Sequence, residues 1–356
     1  MGRLKILNFT SLFFLISFAL IVNSYIFKNS LIFFVFLLFF LISLATTEYG
    51  IKITKQLNLF QNLRDYGPAL HSFKKNTPTM GGLFILIPFF SSLLIINSFK
   101  SNNILLLLIC TFGFFVIGFL DDYLSISKKK NTGLLSNQKF ILQSLISILF
   151  ILIAFSSDYI NPLIRISNDW TIDTKILIFP IYFIILVGMS NAVNLTDGLD
   201  GLASGCSSIV FVGLGTEIFI NNQQELIIYG IISYSMAGLC IGFLKFNKYP
   251  AKIFMGDTGS LTIGAILGSI AILTNSFFTL FIFSGIFIIE ALSVIFQVGF
   301  FKITKKIYKN GRRIFLMTPI HHHFELKGYK EEKIVENFWK VNILLVVLGI
   351  VLKINL

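Results

Sequence analysis

Charged side chains are what this sequence has least of. Among 356 residues there are 29 Lys or Arg and 17 Asp or Glu, 13% in all, where soluble domains carry about 25%. That scarcity excludes a water-soluble globular protein. Cysteine is nearly absent too, and Cys110, Cys206 and Cys240 each lie in or beside an apolar run. They read as small buried hydrophobes, not as a disulfide framework or a metal set. The glycine signatures of nucleotide sites are also missing: there is no Walker A sequence and no Rossmann fingerprint. A nucleotide would have to be held by another arrangement.

What fills the chain is apolar, 55% hydrophobic with 41 Phe. Apolar segments at 31–47, 80–98, 103–120, 140–156, 175–191, 202–220, 226–244, 260–274, 278–300 and 340–356 predict about ten transmembrane helices. The fold class is all-α, one polytopic membrane domain over 1–356. Leu12–Phe27, with Arg3 and Lys5 before it, is followed by Lys28-Asn29-Ser30, which leaves little room for a hairpin. Residues 1–30 therefore read as a retained, membrane-associated lead-in. Loops after the odd-numbered spans, with Lys340 at the start of the last span, hold 22 of the 29 Lys and Arg. This asymmetry places them, including the 301–339 loop, in the cytoplasm and both termini outside.

The polar motifs all fall on that one face. A transporter would carry ionisable groups at the bilayer midplane; charges gathered at one interface suit chemistry on a lipid head group with a cytosolic substrate. The expectation is a multi-pass membrane protein with a cytoplasmic-face active site. Membrane lipid is an expected partner, nucleic acid is not, and a homodimer is compatible with the sequence.

The densest motif is Asn191–Ala203, where Asp197 and Asp200 sit with Asn191, Asn194 and Thr196 between two apolar runs. Ionised groups at the edge of hydrocarbon are costly and mark function by default. A capping loop would explain one Asp, but not this cluster. Asp121-Asp122 end the apolar run 112–120, where the helix dipole disfavours carboxylates. Adjacent helical residues point about 100° apart, so one can face a site while the other meets a neighbour. Phe254–Ser260 puts Asp257 in a Gly-flanked turn before a span, able to cap the helix or to serve a phosphate site there. Five carboxylates at one edge repel unless cations intervene, which implies Mg²⁺ or Mn²⁺; magnesium needs only one or two carboxylates plus substrate phosphates.

Two further stretches bring cations and donors. His71–Gly82 carries Lys74, Lys75 and Thr79 as anion-binding candidates, with Pro78 suited to a helix start. His321-His322-His323 cannot all converge on one metal from a helix or strand, so they read as hydrogen-bond donors to phosphate or sugar oxygens. The basic run with Lys305, Lys306, Arg312 and Arg313 reads as a positive-inside loop near anionic lipid.

With these motifs in place, the chain resembles the phospho-N-acetylmuramoyl-pentapeptide transferases of the polyprenyl-phosphate N-acetylhexosamine-1-phosphate transferase superfamily. The resemblance runs from about Arg64 to Trp339. It rests on Thr77–Gly82, Gly118–Tyr123, Asn191–Ala203, Phe254–Asp257, Glu290–Gln297 and Pro319–Gly328. It implies transfer of phospho-N-acetylmuramoyl-pentapeptide from its UDP donor to undecaprenyl phosphate, giving lipid I and UMP with Mg²⁺. It also implies Asp257 as the magnesium ligand and Asp121 and Asp122 as the catalytic pair. Lys74, Thr79, Lys139, Asn194, Asp197 and Asp200 become substrate contacts, Phe254 stacks on the uracil, and Gln297 and His321 to His323 reach the sugar-phosphate end. Asn76 stands where the family usually has Gly, and Ser125 where it often has Lys or Arg. An N-acetylglucosamine-1-phosphate transferase and a non-catalytic transporter are the alternatives. Phosphoryl transfer is mostly positioning and charge neutralisation. The acceptor's second pKa of about 6 favours direct attack over an aspartyl-phosphate route.

Overall fold

Residues 7–60, 77–97, 102–128, 133–160, 162–165 and 171–355 are described by a computed structural model. In chain order come α1 (Phe9–Ile26), α2 (Leu31–Gln56), α3 (Gly82–Asn97), α4 (Asn102–Ser127) and α5 (Ser136–Ser156). A two-stranded antiparallel hairpin, β1 (Leu163–Arg165) with β2 (Thr171–Asp173), follows. Then come α6 (Ile178–Thr196), α7 (Leu202–Asn221), α8 (Ile227–Asn247), α9 (Gly256–Leu273), α10 (Phe277–Phe283), α11 (Gly285–Tyr308), α12 (Ile320–Leu326) and α13 (Glu331–Asn355).

Among the described residues, ten helices are long and apolar enough to cross a membrane: α1, α2, α4 to α9, α11 and α13. The number matches the sequence expectation, but the membership differs. α3 is a shorter apolar helix. α1, the stretch read as a lead-in, is a full helix. Asn8 starts it by accepting the Ser11 N–H. The hairpin to α2 closes in four residues because Lys28 takes a left-handed conformation (φ 50°), and Asn29 accepts the Leu31 N–H. The Leu7 N–H donates to Glu336 at the start of α13, and the other end of α1 meets the end of α7 through Asn23 and Thr216. α1 therefore runs the length of the bundle, and its start lies at the end opposite the last turn of α13, not on the same side as expected. The apolar run 278–300 also divides, into α10 and α11.

α7, α8 and α9 form the centre. In the most apolar window of α7, 94% of residues are buried, against 22% in α1 and α2, whose exposed faces are Phe and Leu. Such helices, apolar all round, pack at the core or face lipid. α8 packs along both α2 and α7, while α9 is flanked by α4 and α6. α4 approaches α9 so closely that a Cβ on Gly118 would collide with the backbone of Asp257 and Thr258. Small residues at a crossing permit this backbone proximity, and it brings Asp121 and Asp122 to the start of α9.

Candidate active site

The C-terminal ends of α4 and α6, the N-terminal ends of α5 and α9, and the α6–α7 turn meet at one end of the bundle. The start of α9 is fixed from outside by its own backbone. Phe254 N–H donates to Pro78 O (2.8 Å), Gly81 N–H to Phe254 O (2.8 Å) and Gly82 N–H to Met255 O (2.9 Å). The Thr77–Gly82 motif thus acts as a template for the Asp257 turn. Gly256 turns the chain with φ 75°, where a Cβ would meet the Asp122 carboxylate.

Asp122 caps α9 from another helix. It accepts from the backbone N–H groups of Asp257 (3.1 Å) and Thr258 (2.9 Å) and from the Thr258 hydroxyl (2.6 Å). These amides are orphan donors of the first helical turn, and their partial positive charge suits an anion. Asp121 points the other way, accepting the Leu134 N–H at 2.8 Å and standing 3.1 Å from the Lys139 ammonium. Lys139 also meets Asp257 Oδ2 at 2.5 Å, and Asn194 Nδ2 donates to Asp257 Oδ1 (2.8 Å) and to Ser260 Oγ (2.9 Å). The two aspartates of the pair therefore have separate partners, as the 100° offset anticipates.

Asp197 follows the last residue of α6. Burial first, then the carboxylates of Asp257, Asp122 and Asp200, push its pKa well above the ordinary range, against a Gly256 backbone N–H. Asp200 is buried and accepts the Ala251 N–H (2.9 Å), while its own N–H donates to Glu331 (2.7 Å). That bond ties the turn to the α8–α9 connection and to α13. Phe254 is half-buried beside the site, and Thr79, buried, donates its N–H to Leu59 O. Lys74, with His71, Lys75 and Asn76, lies outside the described residues.

The histidines divide. His321 is fully buried on α12, with Nδ1 3.1 Å from Glu290 on α11. His322 Nδ1 meets Glu325 at 2.6 Å. His323 Nδ1 accepts the Leu316 N–H (3.2 Å), and partial burial, then Lys327, hold its pKa below the usual value. With Nδ1 accepting, the ring offers Nε2 as its donor. Gln297 is engaged by backbone: its oxygen accepts from Ile314 and Phe315 and its amide donates to Phe315 O. It clamps the 310–316 stretch on α11, beside a cavity of about 840 Å³ lined by Lys302, Lys305, Arg313, Phe301 and Leu316.

Carboxylate oxygens of Asp121, Asp122 and Asp257 lie within 4.8 Å of one another. Three hard oxygen donors so close fit one small divalent cation, and Lys139 supplies positive charge between two of them. The sequence anticipated repulsion among these acids. The structure sets backbone N–H groups and Lys139 against it, the latter a counter-ion that reading had assigned to substrate. Thr258 and Glu290 were missed as supporting residues. The cross-helix pairs they make leave no local sequence signal.

Comparison with known proteins agrees with this geometry. Residues 104–275 match the family described as glycosyl transferase family 4, which covers α4 to the end of α9. Residues 74–86 match phospho-N-acetylmuramoyl-pentapeptide-transferase signature 1. Proteins of that name in two strains of Prochlorococcus marinus and in a Synechococcus are similar over most of the chain. The one from Prochlorococcus marinus subsp. pastoris is 72% identical over 356 residues, covering 100% of this chain and 99% of its own length. The one from Prochlorococcus marinus (strain NATL2A) is 46% identical over 343 residues, 96% and 92% of the two chains. The one from Synechococcus sp. (strain CC9605) is 41% identical over 312 residues, 87% and 89%. The chain belongs to the phospho-N-acetylmuramoyl-pentapeptide transferases.

Proposed function

We infer that this protein transfers phospho-N-acetylmuramoyl-pentapeptide from the UDP-linked donor to undecaprenyl phosphate, forming lipid I and releasing UMP. The observation that carries this reading is the convergence of Asp121, Asp122 and Asp257 within 4.8 Å, with Lys139 between two of them, at one end of an apolar bundle. A phosphate oxygen of the lipid attacks the phosphorus that bears the sugar. The bond from that phosphorus to the bridging oxygen breaks, and UMP departs with the oxygen.

Asp257, with Asp121 beside it, would hold Mg²⁺, which when bound neutralises charge on the pyrophosphate. Asn194 orients Asp257, and Asp122 fixes the helix turn that carries it. Lys139 brings a second cation to the phosphates. Asp121 orders the attacking oxygen or takes its residual proton, since an acceptor with second pKa about 6 is largely dianionic at neutral pH. Phe254 and the Asp197–Asp200 turn receive the nucleotide end of the donor, and His322 and His323 the sugar-phosphate end.

The basic loops support a reading in which this end of the bundle faces the cytoplasm from the bacterial inner membrane, and the start of α1 lies at the same end. Cysteine placed at Ser125 or Tyr329 is then labelled only from the cytoplasm, and at Asn222 only from outside. Detergent-purified protein given both substrates and Mg²⁺ releases radiolabelled UMP, and chelation stops it. No release with the cation present would remove the reading.

A further inference from the structure

Glu290 lies on α11 and His321 on α12, and both side chains are fully buried. They stand 3.1 Å apart, yet neither carboxylate oxygen and neither ring nitrogen has an aligned hydrogen bond. A buried ionisable group is costly unless paired, so each of these two is tolerable mainly because the other is there. The opposite side of the imidazole presses on the α6–α7 turn: a Cβ on Gly198 would collide with His321 Nε2. Gly198 separates Asp197 from Leu199 and Asp200, so the ring fills the space directly behind the acidic turn. The same short helix carries His322, whose ring stacks edge-on against His321 with centroids 4.2 Å apart.

We propose that Glu290 is a positioning residue which, through the buried imidazole of His321, props the Asp197–Asp200 turn and sets the orientation of α12. His321 is then a support and not a substrate ligand. The prop lies behind the turn, apart from Asp121, Lys139 and Asp257, which have partners of their own. Removing it therefore loosens the donor's seat more than it disturbs the reacting atoms. This rests on the donor-binding part of the proposed function.

The test compares Glu290→Gln and Glu290→Leu with wild type in detergent, after gel filtration and thermal melting show folded protein. Glu290→Leu raises KM for the UDP donor about tenfold, leaves KM for the lipid acceptor within twofold and changes kcat little. Glu290→Gln, which keeps the shape and an accepting oxygen, recovers most of the donor KM. Independently of turnover, side-chain ¹⁵N spectra of histidine-labelled protein identify His321 by its loss in His321→Gln. Its signals move in Glu290→Gln while those of His323 stay. An unmoved His321 signal overturns the pairing whatever the enzyme does. A moved signal with donor KM unchanged in Glu290→Leu, or with kcat and both KM values falling together, overturns the positioning role. Absence of UMP release from wild type would instead remove the function on which this rests.

Discussion

At the far end of α7, Glu217 is a carboxylate among hydroxyls: it accepts from Thr279, and Thr216, Tyr234 and Asn23 hydrogen-bond to one another on the neighbouring residue. At the near end, five aspartates share backbone N–H groups, one hydroxyl, one amide and one ammonium. Both places bury acid in a bundle made for hydrocarbon. The far cluster is closed, joining α7 to α10, α8 and α1. The near cluster is held by the ends of elements, with Lys139 reaching across from α5. Polar groups in membrane helices can be adhesive or reactive, and what separates the two here is how many like charges are gathered and whether their partners can be exchanged for a substrate.

The largest break in this contrast comes at Asp257. Asp257→Asn keeps volume and the ability to accept a hydrogen bond, but removes the charge a cation needs. UMP release should fall by about 10³-fold or more, as when a preorganised transition-state contact is lost, while thermal melting stays near wild type. Near-normal turnover would reduce Asp257 to a helix-start residue. Lys139→Met comes next. It strips the shared counter-ion from Asp121 and Asp257, and kcat should fall about 10²-fold.

Asp121 and Asp122 sharpen the comparison within the near cluster. Asp121→Asn should slow turnover severely at pH 6 and recover part of it by pH 8. The sign follows from the acceptor: as pH rises through its second pKa of about 6, the proton leaves without an enzyme base. Asp122→Ala should instead destabilise the protein by about 1 kcal/mol or somewhat more, because the first turn of α9 loses its cap, with activity lost at every pH. A matching pH recovery in both variants would end the division of labour. Exchange of labelled UMP into the donor without lipid acceptor, in lipid-free protein, would point to a phospho-enzyme and away from direct attack. The smallest effect belongs to the far end. Glu217→Gln keeps an accepting oxygen for the Thr279 hydroxyl, so it should leave UMP release within about twofold and change unfolding by about 1 kcal/mol or less.

Much of this was legible in the chain and some of it was not. Apolar runs near twenty residues announced the all-α bundle because hydrocarbon demands that length and that chemistry. α1 was misjudged because a four-residue connection looked too short for a reversal, and a left-handed Lys28 is invisible in composition. The acids of the site were legible because each breaks an apolar context. Their division of roles was not: Asp122 meets Thr258 across 136 residues and Lys139 meets Asp257 across 118. The pairing of Glu290 with His321 was hidden for the same reason, since the first sits mid-run and the second is one of three consecutive histidines.

The placement of α1 has a consequence for how the chain is made. α1 packs on α2, α7 and α8, and its leading end is bonded to Glu336 of α13. At about 5–20 residues per second, the ribosome needs on the order of tens of seconds after α1 emerges to supply that last partner. The α1–α2 hairpin must therefore enter the bilayer early and wait there, carrying Asn23 without Thr216. α1, made before every helix it binds, is thus among the last to be locked, and the site end of the bundle closes only when α13 arrives beside it.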